Sequence, residues 1–401
     1  MAAMTFAPFL DLPDTVAPDY RGGSLFNLMA SLCERFGDHR ASPWRLRDHP
    51  QLGLASARIV VLLVIDGLGA HDLATRGAGR FLARHQARTL TTVFPATTAS
   101  AVTTTLTGIT PAEHGLTGWY IRDDRFGGVL APLPMVRRDR QPMTGWWRIP
   151  RLFPYPSLFQ RLDVRSVMVA PEAILGSPFN MRHSRGVARR YGYQDLAGLE
   201  AQLVQAVADL GSLEGFVYAY HADYDALAHQ FGIASDQCDA HFLALDAMVA
   251  RLSAQLADSG VQLLVTADHG FIDSPPERQC DIATEGGLQG YLDGPLWGER
   301  RVAYCRVRRA DRAQFEVEAL AQLGDRFHVV PSARLIDAGV FGPAGKPSRR
   351  LRERIGDFAL IGRENWTIHD WLPQERQYPM LGVHAGVSAA EMLIPLVSIT
   401  C

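Results

Sequence analysis

Asp66 closes the aliphatic run RIVVLLVIDG (58–67), and Asp268 with His269 closes VQLLVTADHG (261–270). In HADYDALAHQFG (221–232), Asp225 and His229 are four residues apart and share one face if a helix begins there. Asp223 has the wrong spacing to His229 for that face. His384 stands in GVHAGVS, just ahead of the last apolar run. Carboxylate oxygens and neutral imidazole nitrogens are ligands for divalent cations. One aspartate at a strand end means little, because Asp also caps helices; three strand ends carrying such groups point to a metal centre. The segment TTVFPATTASAVTTTLTG (91–108) adds hydroxyls, with Thr97 and Thr98 opening an Ala/Thr-rich stretch that ends at Gly108. A helix N-terminus offers unpaired N–H groups and the positive end of the dipole, where a phosphate settles. A threonine hydroxyl is barely ionised at neutral pH and needs an adjacent base or a metal to become a nucleophile. No local Ser/His/Asp arrangement is present, so metal activation is the economical account.

These groups need a scaffold that brings strand ends together. The run at 58–67 is continuously aliphatic, the mark of a strand buried on both faces of a mostly parallel sheet. SVMVAP (166–171), GFVYAYHADYD (215–225) and VQLLVTADHG (261–270) repeat it. A helix is expected over 24–37, with Leu25, Leu28, Met29, Leu32 and Phe36 at helical spacing, Ser24 as N-cap and Gly37 as stop. Another is expected from Ser235 to about Ala257. Strand–helix alternation predicts a doubly wound, mostly parallel α/β sheet flanked by helices, which binds ligands beyond the carboxyl ends of its strands. Two stretches break the rhythm. Residues 121–159 (rich in Pro, Trp, Arg and Gly) read as an irregular cap. Residues 272–380 read as a small α+β insertion, with strands at RVAYCRV and RFHVVP, a helix between them and a long loop after. The expectation is one domain over 1–401 with two insertions.

The 401 residues carry 40 basic and 42 acidic side chains, a net charge of −2, so the chain lacks a basic footprint for nucleic acid polymers or anionic lipid. A hydrophobic content of 47% with 20% charged residues excludes wholesale disorder and fibrous repeats. Five scattered cysteines lack zinc-finger spacing and are expected as reduced thiols. The longest aliphatic run, Ile59–Ile65, is too short for a bilayer span, and the opening MAAMTFAPFLDLPD has no export pattern. A cytoplasmic protein with a small-molecule substrate is the expectation.

The ordered set of motifs resembles the alkaline phosphatase superfamily, and within it the type I phosphodiesterase/nucleotide pyrophosphatase branch. The resemblance runs from IVVLLVIDG to VHAGVSAAEML. It implies an alkaline phosphatase-like core, hydrolysis of phosphodiester or pyrophosphate bonds, and two divalent ions, zinc by expectation. By the same resemblance Asp66, Thr98, Asp268 and His269 hold one ion, while Asp225, His229 and His384 hold the other. Thr98, ten residues before Gly108, takes the place of the nucleophile; Thr97 stands as the rival hydroxyl, because Phe94 and Pro95 precede both. The asparagine common after the family's HG element is absent, EHGLTGWY carrying Trp119 and Tyr120 instead. Trp119, Tyr120 and Arg122 are therefore the candidate substrate contacts, the substrate being a phosphate ester that includes nucleotides.

Blander readings stand beside these. Asp66 can cap a turn, Asp225 and His229 can form a solvent-facing helical pair, and His384 can be a lone loop histidine. His114 reads as helix-ending and His221 as pocket wall. Trp146, Trp147, Phe153 and Tyr155 read as packing of the cap, and Arg137, Arg138, Arg148 and Arg151 as solvated surface. The rival activities are a phosphomonoesterase or phosphonate hydrolase on the same site, and a binding module that lost catalysis. A sulfatase is disfavoured, for want of a Cys or Ser in a C/S-x-P-x-R context.

Overall fold

The structure, a computed structural model, describes residues 6–47, 52–343, 347–373, 375, 377–378 and 380–401. The first five residues of the opening stretch therefore lie outside the described part. Seven strands build the main sheet: β1 (Ile59–Ile65), β2 (Gln86–Thr91), β3 (Arg165–Pro171), β4 (Arg189–Tyr193), β5 (Gly215–His221), β6 (Val261–Thr266) and β7 (Leu393–Thr400). Their order across the sheet is β2–β7–β6–β1–β5–β3–β4. β6, β1, β5, β3 and β4 run parallel, and β7 runs antiparallel to both of its neighbours. Every residue of β1 is buried, as a central strand covered on both faces requires. The five helices that matter below are α1 (Leu25–Arg35), α2 (Thr98–Thr107), α3 (Leu196–Leu210), α4 (Asp223–Phe231) and α5 (Asp236–Gln255). Ser24 caps α1 through a reciprocal pair with Asn27, and Ser235 caps α5. Among the described residues no helix is long and apolar enough to cross a membrane.

Two expectations about the caps are corrected. The segment after Tyr120 is not wholly irregular: Ile121–Asp123, Gly128–Ala131 and Val136–Arg137 form a three-stranded antiparallel sheet. Short strands interrupted by charged turns leave too little periodicity to be seen in sequence. The later insertion carries a four-stranded antiparallel sheet in the order Trp297–Gly298, Val302–Cys305, Phe358–Gly362, Phe327–Pro331. Its third strand lies where only a loop was expected. There Phe358, Ala359, Leu360 and Ile361 are all buried, between the cluster around Phe315 and Leu323 on one side and that around Tyr304 and Leu351 on the other.

Two contacts matter most for how the later cap is held. Tyr120 and Gly298 exchange backbone hydrogen bonds of 3.2 and 3.0 Å, and a Cβ on Gly118 would come within 2.7 Å of the Gly298 Cα, so only glycine permits the approach. Arg301, buried, forks onto the buried Glu391 carboxylate with two bonds of 3.0 Å. The same carboxylate accepts from Gly386 N and Ser388 Oγ, next to His384. A buried pair with its lone pairs satisfied holds; removing one partner strands the other charge. Arg301→Met is therefore expected to lower stability by about 3–5 kcal/mol, read as a shift of the urea midpoint. A loss under about 1 kcal/mol would show that water reaches Glu391 and that the clamp is not structural.

Candidate active site

Register decides where the ligands meet. Ile65 of β1 lies beside His221 of β5, and Val64 lies beside Thr266 of β6, so the three strands end level. Asp66 follows β1 directly, Asp268 comes two residues after β6, and Asp225 sits in the first turn of α4, which begins just past β5. His229 is one turn further along α4. His384 follows the short strand Gly382–Val383, which pairs with Ile272–Asp273 beyond β6.

All three imidazoles are oriented the same way. His229 Nδ1 donates to the Gly382 carbonyl (2.9 Å), His269 Nδ1 to Gly270 (3.1 Å) and His384 Nδ1 to Ala96 (3.1 Å). With the proton on Nδ1, each ring turns the lone pair of Nε2 inward. His269 Nε2 lies 3.3 Å from Asp66 Oδ1 and 3.5 Å from Asp268 Oδ2. His229 Nε2 lies 3.5 Å from Asp225 Oδ1, and His384 Nε2 lies 3.9 Å from the same oxygen. The rings of His269 and His384 stack at 3.8 Å. Asp66, Asp225 and His269 thus bring ligand atoms within 4.8 Å of one another, as do Asp225, His229 and His384, with Asp225 common to both groups.

The carboxylates are crowded and dry. Asp66 and Asp268 are buried, and Asp225 is half-buried with its Oδ1 inaccessible. Burial, then the charges of Asp225 and Asp268, raises the Asp66 carboxyl well above its ordinary range, while the Tyr220 hydroxyl donated to Oδ2 works the other way. Burial pushes Asp225 up to about 7. Burial lowers His229 to about 4 and pushes His384 well below the ordinary histidine value, so both rings are neutral. Asp268 Oδ1 accepts from Gly67 N and His269 N, whereas Asp268 Oδ2 and Asp225 Oδ1 are buried without a hydrogen-bond partner. Orphaned carboxylate oxygens beside inward lone pairs fit divalent cations.

The two threonines part company here. Thr98 Oγ1, at the first position of α2, lies 3.2 Å from His269 Nε2 and 3.5 Å from Asp66 Oδ1. Thr97 is the extended N-cap, and its hydroxyl points elsewhere, donating to Glu299 Oε1 at 2.5 Å. Further along α2, Thr103, Thr105 and Thr107 donate their hydroxyls to helix carbonyls three or four residues back. An unbroken threonine run is thereby buried without stranded donors.

A cavity of about 490 Å³ opens over the cluster, lined by Thr98, Asp225, His229 and His384 below and by Trp119, Tyr120, Trp371 and Tyr378 above. Trp119 and Tyr120 thus lie where a substrate contact was expected. Arg122 does not line the cavity. Its guanidinium is taken by Asp124 and the Asp293 carbonyl and lies over Trp297, a correction caused by an adjacent carboxylate together with a carbonyl and a ring that only folding brings near. Arg137 and Arg138 line the cavity, although Arg138 is paired with Glu375. Phe153 and Tyr155 pack in the core, and Trp146 is 84% exposed. His114, buried, bonds Thr104 and Leu116 N at the end of its short helix. His221 Nε2 meets His241 Nε2 at 2.8 Å with the rings 7° from parallel, the geometry of an imidazole–imidazole hydrogen bond. Glu299, Arg300, His369, Trp371 and Tyr378 were invisible beforehand. All come from the later insertion, in segments with no motif.

Residues 60–386 match the family model described as Type I phosphodiesterase / nucleotide pyrophosphatase. No curated protein matches the sequence significantly. Among solved structures, human ectonucleotide pyrophosphatase / phosphodiesterase 5 is similar with a TM-score of 0.60 at 16% identity, over 85% of this chain and 87% of the other. An inactive variant of the murine protein in complex with AMP gives 0.58 at 17% identity, over 85% and 87%. Phosphonoacetate hydrolase from Sinorhizobium meliloti 1021, in complex with phosphonoformate, gives 0.62 at 16% identity, over 86% and 90%. At such identities the likeness speaks for the fold.

Carboxyls raised by folding stabilise the folded chain only while protonated. That contribution is full below the unfolded value near 4 and is lost as pH rises through about 7 for Asp225. A divalent cation competes with those protons and relieves the repulsion once they leave. The gain in thermal midpoint on adding zinc to metal-free protein should thus be larger at pH 8 than at pH 5.5. An equal gain at both, followed by calorimetry, would contradict binding at these carboxylates.

Proposed function

The chain belongs to the type I phosphodiesterase / nucleotide pyrophosphatase family and is a phosphate ester hydrolase, and from that premise we propose that it cleaves phosphodiester or pyrophosphate bonds through a phospho-threonine on Thr98, at a site for two zinc ions. The observation that carries this reading is the Thr98 hydroxyl at the N-terminus of α2, within 3.5 Å of both Asp66 and His269. The family is metal-dependent, and the clustered acids and histidines suit that requirement. Asp66, Thr98, Asp268 and His269 would hold one ion, and Asp225, His229 and His384 the other. When bound, such ions supply Lewis-acid stabilisation to the attacking and leaving oxygens of an in-line displacement.

The chain's own groups supply the rest. Thr98 Oγ1 forms the bond to phosphorus as the bond to the leaving oxygen breaks, and water then cleaves the phospho-threonine, restoring the hydroxyl. The first N–H groups of α2 have no intrahelical partner and face an anion with the positive end of the dipole. Trp119, Tyr120, Trp371 and Tyr378 line the cavity with aromatic surface for the organic part of the ester, which suits a nucleoside or another planar group. The murine neighbour was solved with AMP, which agrees with a nucleotide substrate; the phosphonoacetate hydrolase neighbour keeps phosphonate hydrolysis as the second reading.

Thr98→Ala should lose turnover of bis-p-nitrophenyl phosphate by about a thousandfold or more while retaining zinc, with Thr97→Ala far milder. The reverse order of losses would move the nucleophile to Thr97. Activity should vanish after dialysis against EDTA and return with zinc; full activity after prolonged chelation would contradict the metal site. A strong preference for mono-p-nitrophenyl phosphate over the diester would favour the second reading.

A further inference from the structure

We propose that Glu299 is the specificity residue of this site: its carboxylate stands over the phosphoryl position and rejects esters carrying a second negative charge on phosphorus, so that monoanionic diesters are accepted and dianionic monoesters are not. The inference rests on the phosphate ester reading above and names the substrate charge state that the site takes.

Glu299 follows Gly298 at the turn between the cap strands Trp297–Gly298 and Val302–Cys305, and it lines the same cavity as Thr98. It is held there from two sides. Its Oε1 accepts from Thr97 Oγ1 at 2.5 Å and from Trp119 N at 2.6 Å. Thr97 precedes the proposed nucleophile, and Trp119 lines the same cavity. Both bonds use Oε1, which leaves Oε2 outside them on a side chain that lines the cavity. Thr98, Trp119 and Glu299 line one cavity, so these two donors would otherwise be open to an anion there; Glu299 takes both and offers an acceptor in their place.

Burial raises the Glu299 carboxyl to about 7, and the adjacent Arg300 offsets that rise only in part, so the carboxylate is ionised above that pH. Arg300 lays its guanidinium against Trp371 (5.1 Å) and Tyr378 (4.9 Å), and its Nη2 donates to the Tyr378 carbonyl. Glu391 takes Arg301. The clamp between Arg301 and Glu391 sits two residues from Glu299 and fixes the turn, while the bonds from Thr97 and Trp119 N hold the carboxylate itself. In a half-buried cavity, a fixed like charge costs an incoming dianion more than a monoanion, because Coulomb repulsion scales with the charge product and water screens it poorly. A diester gives up one charge and gains an organic group, for which the four aromatic rings are the complement.

The test uses the full-length, zinc-loaded protein at pH 8.5, where phosphate monoesters are doubly ionised. Glu299→Gln keeps the acceptor for Thr97 and Trp119 and removes only the charge; Glu299→Asp keeps the charge. For Glu299→Gln, the ratio of kcat/KM for mono- over bis-p-nitrophenyl phosphate should rise about tenfold or more. Calorimetric affinity for inorganic phosphate should tighten by a similar factor, with dimethyl phosphate within about twofold of wild type. Glu299→Asp should keep the wild-type ratio. An unchanged ratio with unchanged phosphate affinity in Glu299→Gln overturns the proposal, as does equal loss for both esters, which a merely structural role would produce. Should the wild-type protein hydrolyse neither ester, the hydrolase reading itself fails. The phosphate against dimethyl phosphate comparison would then still decide the role of Glu299.

Discussion

The arrangement turns on negative charge gathered where water is scarce. Burial, with the charges of Asp225 and Asp268, raises the free energy of ionised Asp66, and burial with Asp268 does the same to Asp225. A protein of net charge −2 gains nothing in solubility or stability from such a cluster. Such a cluster suits a resident cation, since an unpaired buried carboxylate otherwise binds a proton or destabilises the fold. The three histidines complete the logic. Each turns its Nδ1 to a backbone carbonyl and its Nε2 to the carboxylates, and burial keeps the rings of His229 and His384 neutral.

That constraint reaches outward. Parallel pairing of β1 with β5 and β6 must hold its register, because a shift of one residue would turn Asp66 or Asp268 to the other face of the sheet. The loop bearing His384 must be pinned, and the Arg301–Glu391 pair pins it through Gly386 and Ser388. Ala385 takes a left-handed φ of 95° beside His384, a conformation that non-glycine residues seldom adopt. The later insertion therefore has two jobs. It braces the loop that bears His384, and it carries Trp371, Tyr378 and Glu299 on the cavity wall.

Legibility differed between these parts for physical reasons. β1 could be read because a strand covered on both faces must be apolar at every position, and seven consecutive aliphatic residues satisfy little else. Helices α1 and α5 announced themselves through serine caps and a 3.6-residue stripe. The strand Phe358–Gly362 did not, since five residues between loops carry too little pattern to separate a strand from a buried turn. Arg122 was misplaced because its partners, Asp124 and the Asp293 carbonyl, include one from a segment 171 residues away.

What the sequence alone determined is the set of chemical groups at strand ends and their order along the chain, because hydrophobic runs dictate where strands stop and a polar residue at the stop is plain to see. Thr97 and Thr98, adjacent and identical in type, could not be told apart that way. Only the tertiary structure turned one hydroxyl to Asp66 and His269 and the other to Glu299, 202 residues distant. Side-chain direction at a helix N-terminus follows from which acceptors the rest of the fold delivers. Local composition cannot encode a delivery made by an insertion two hundred residues away.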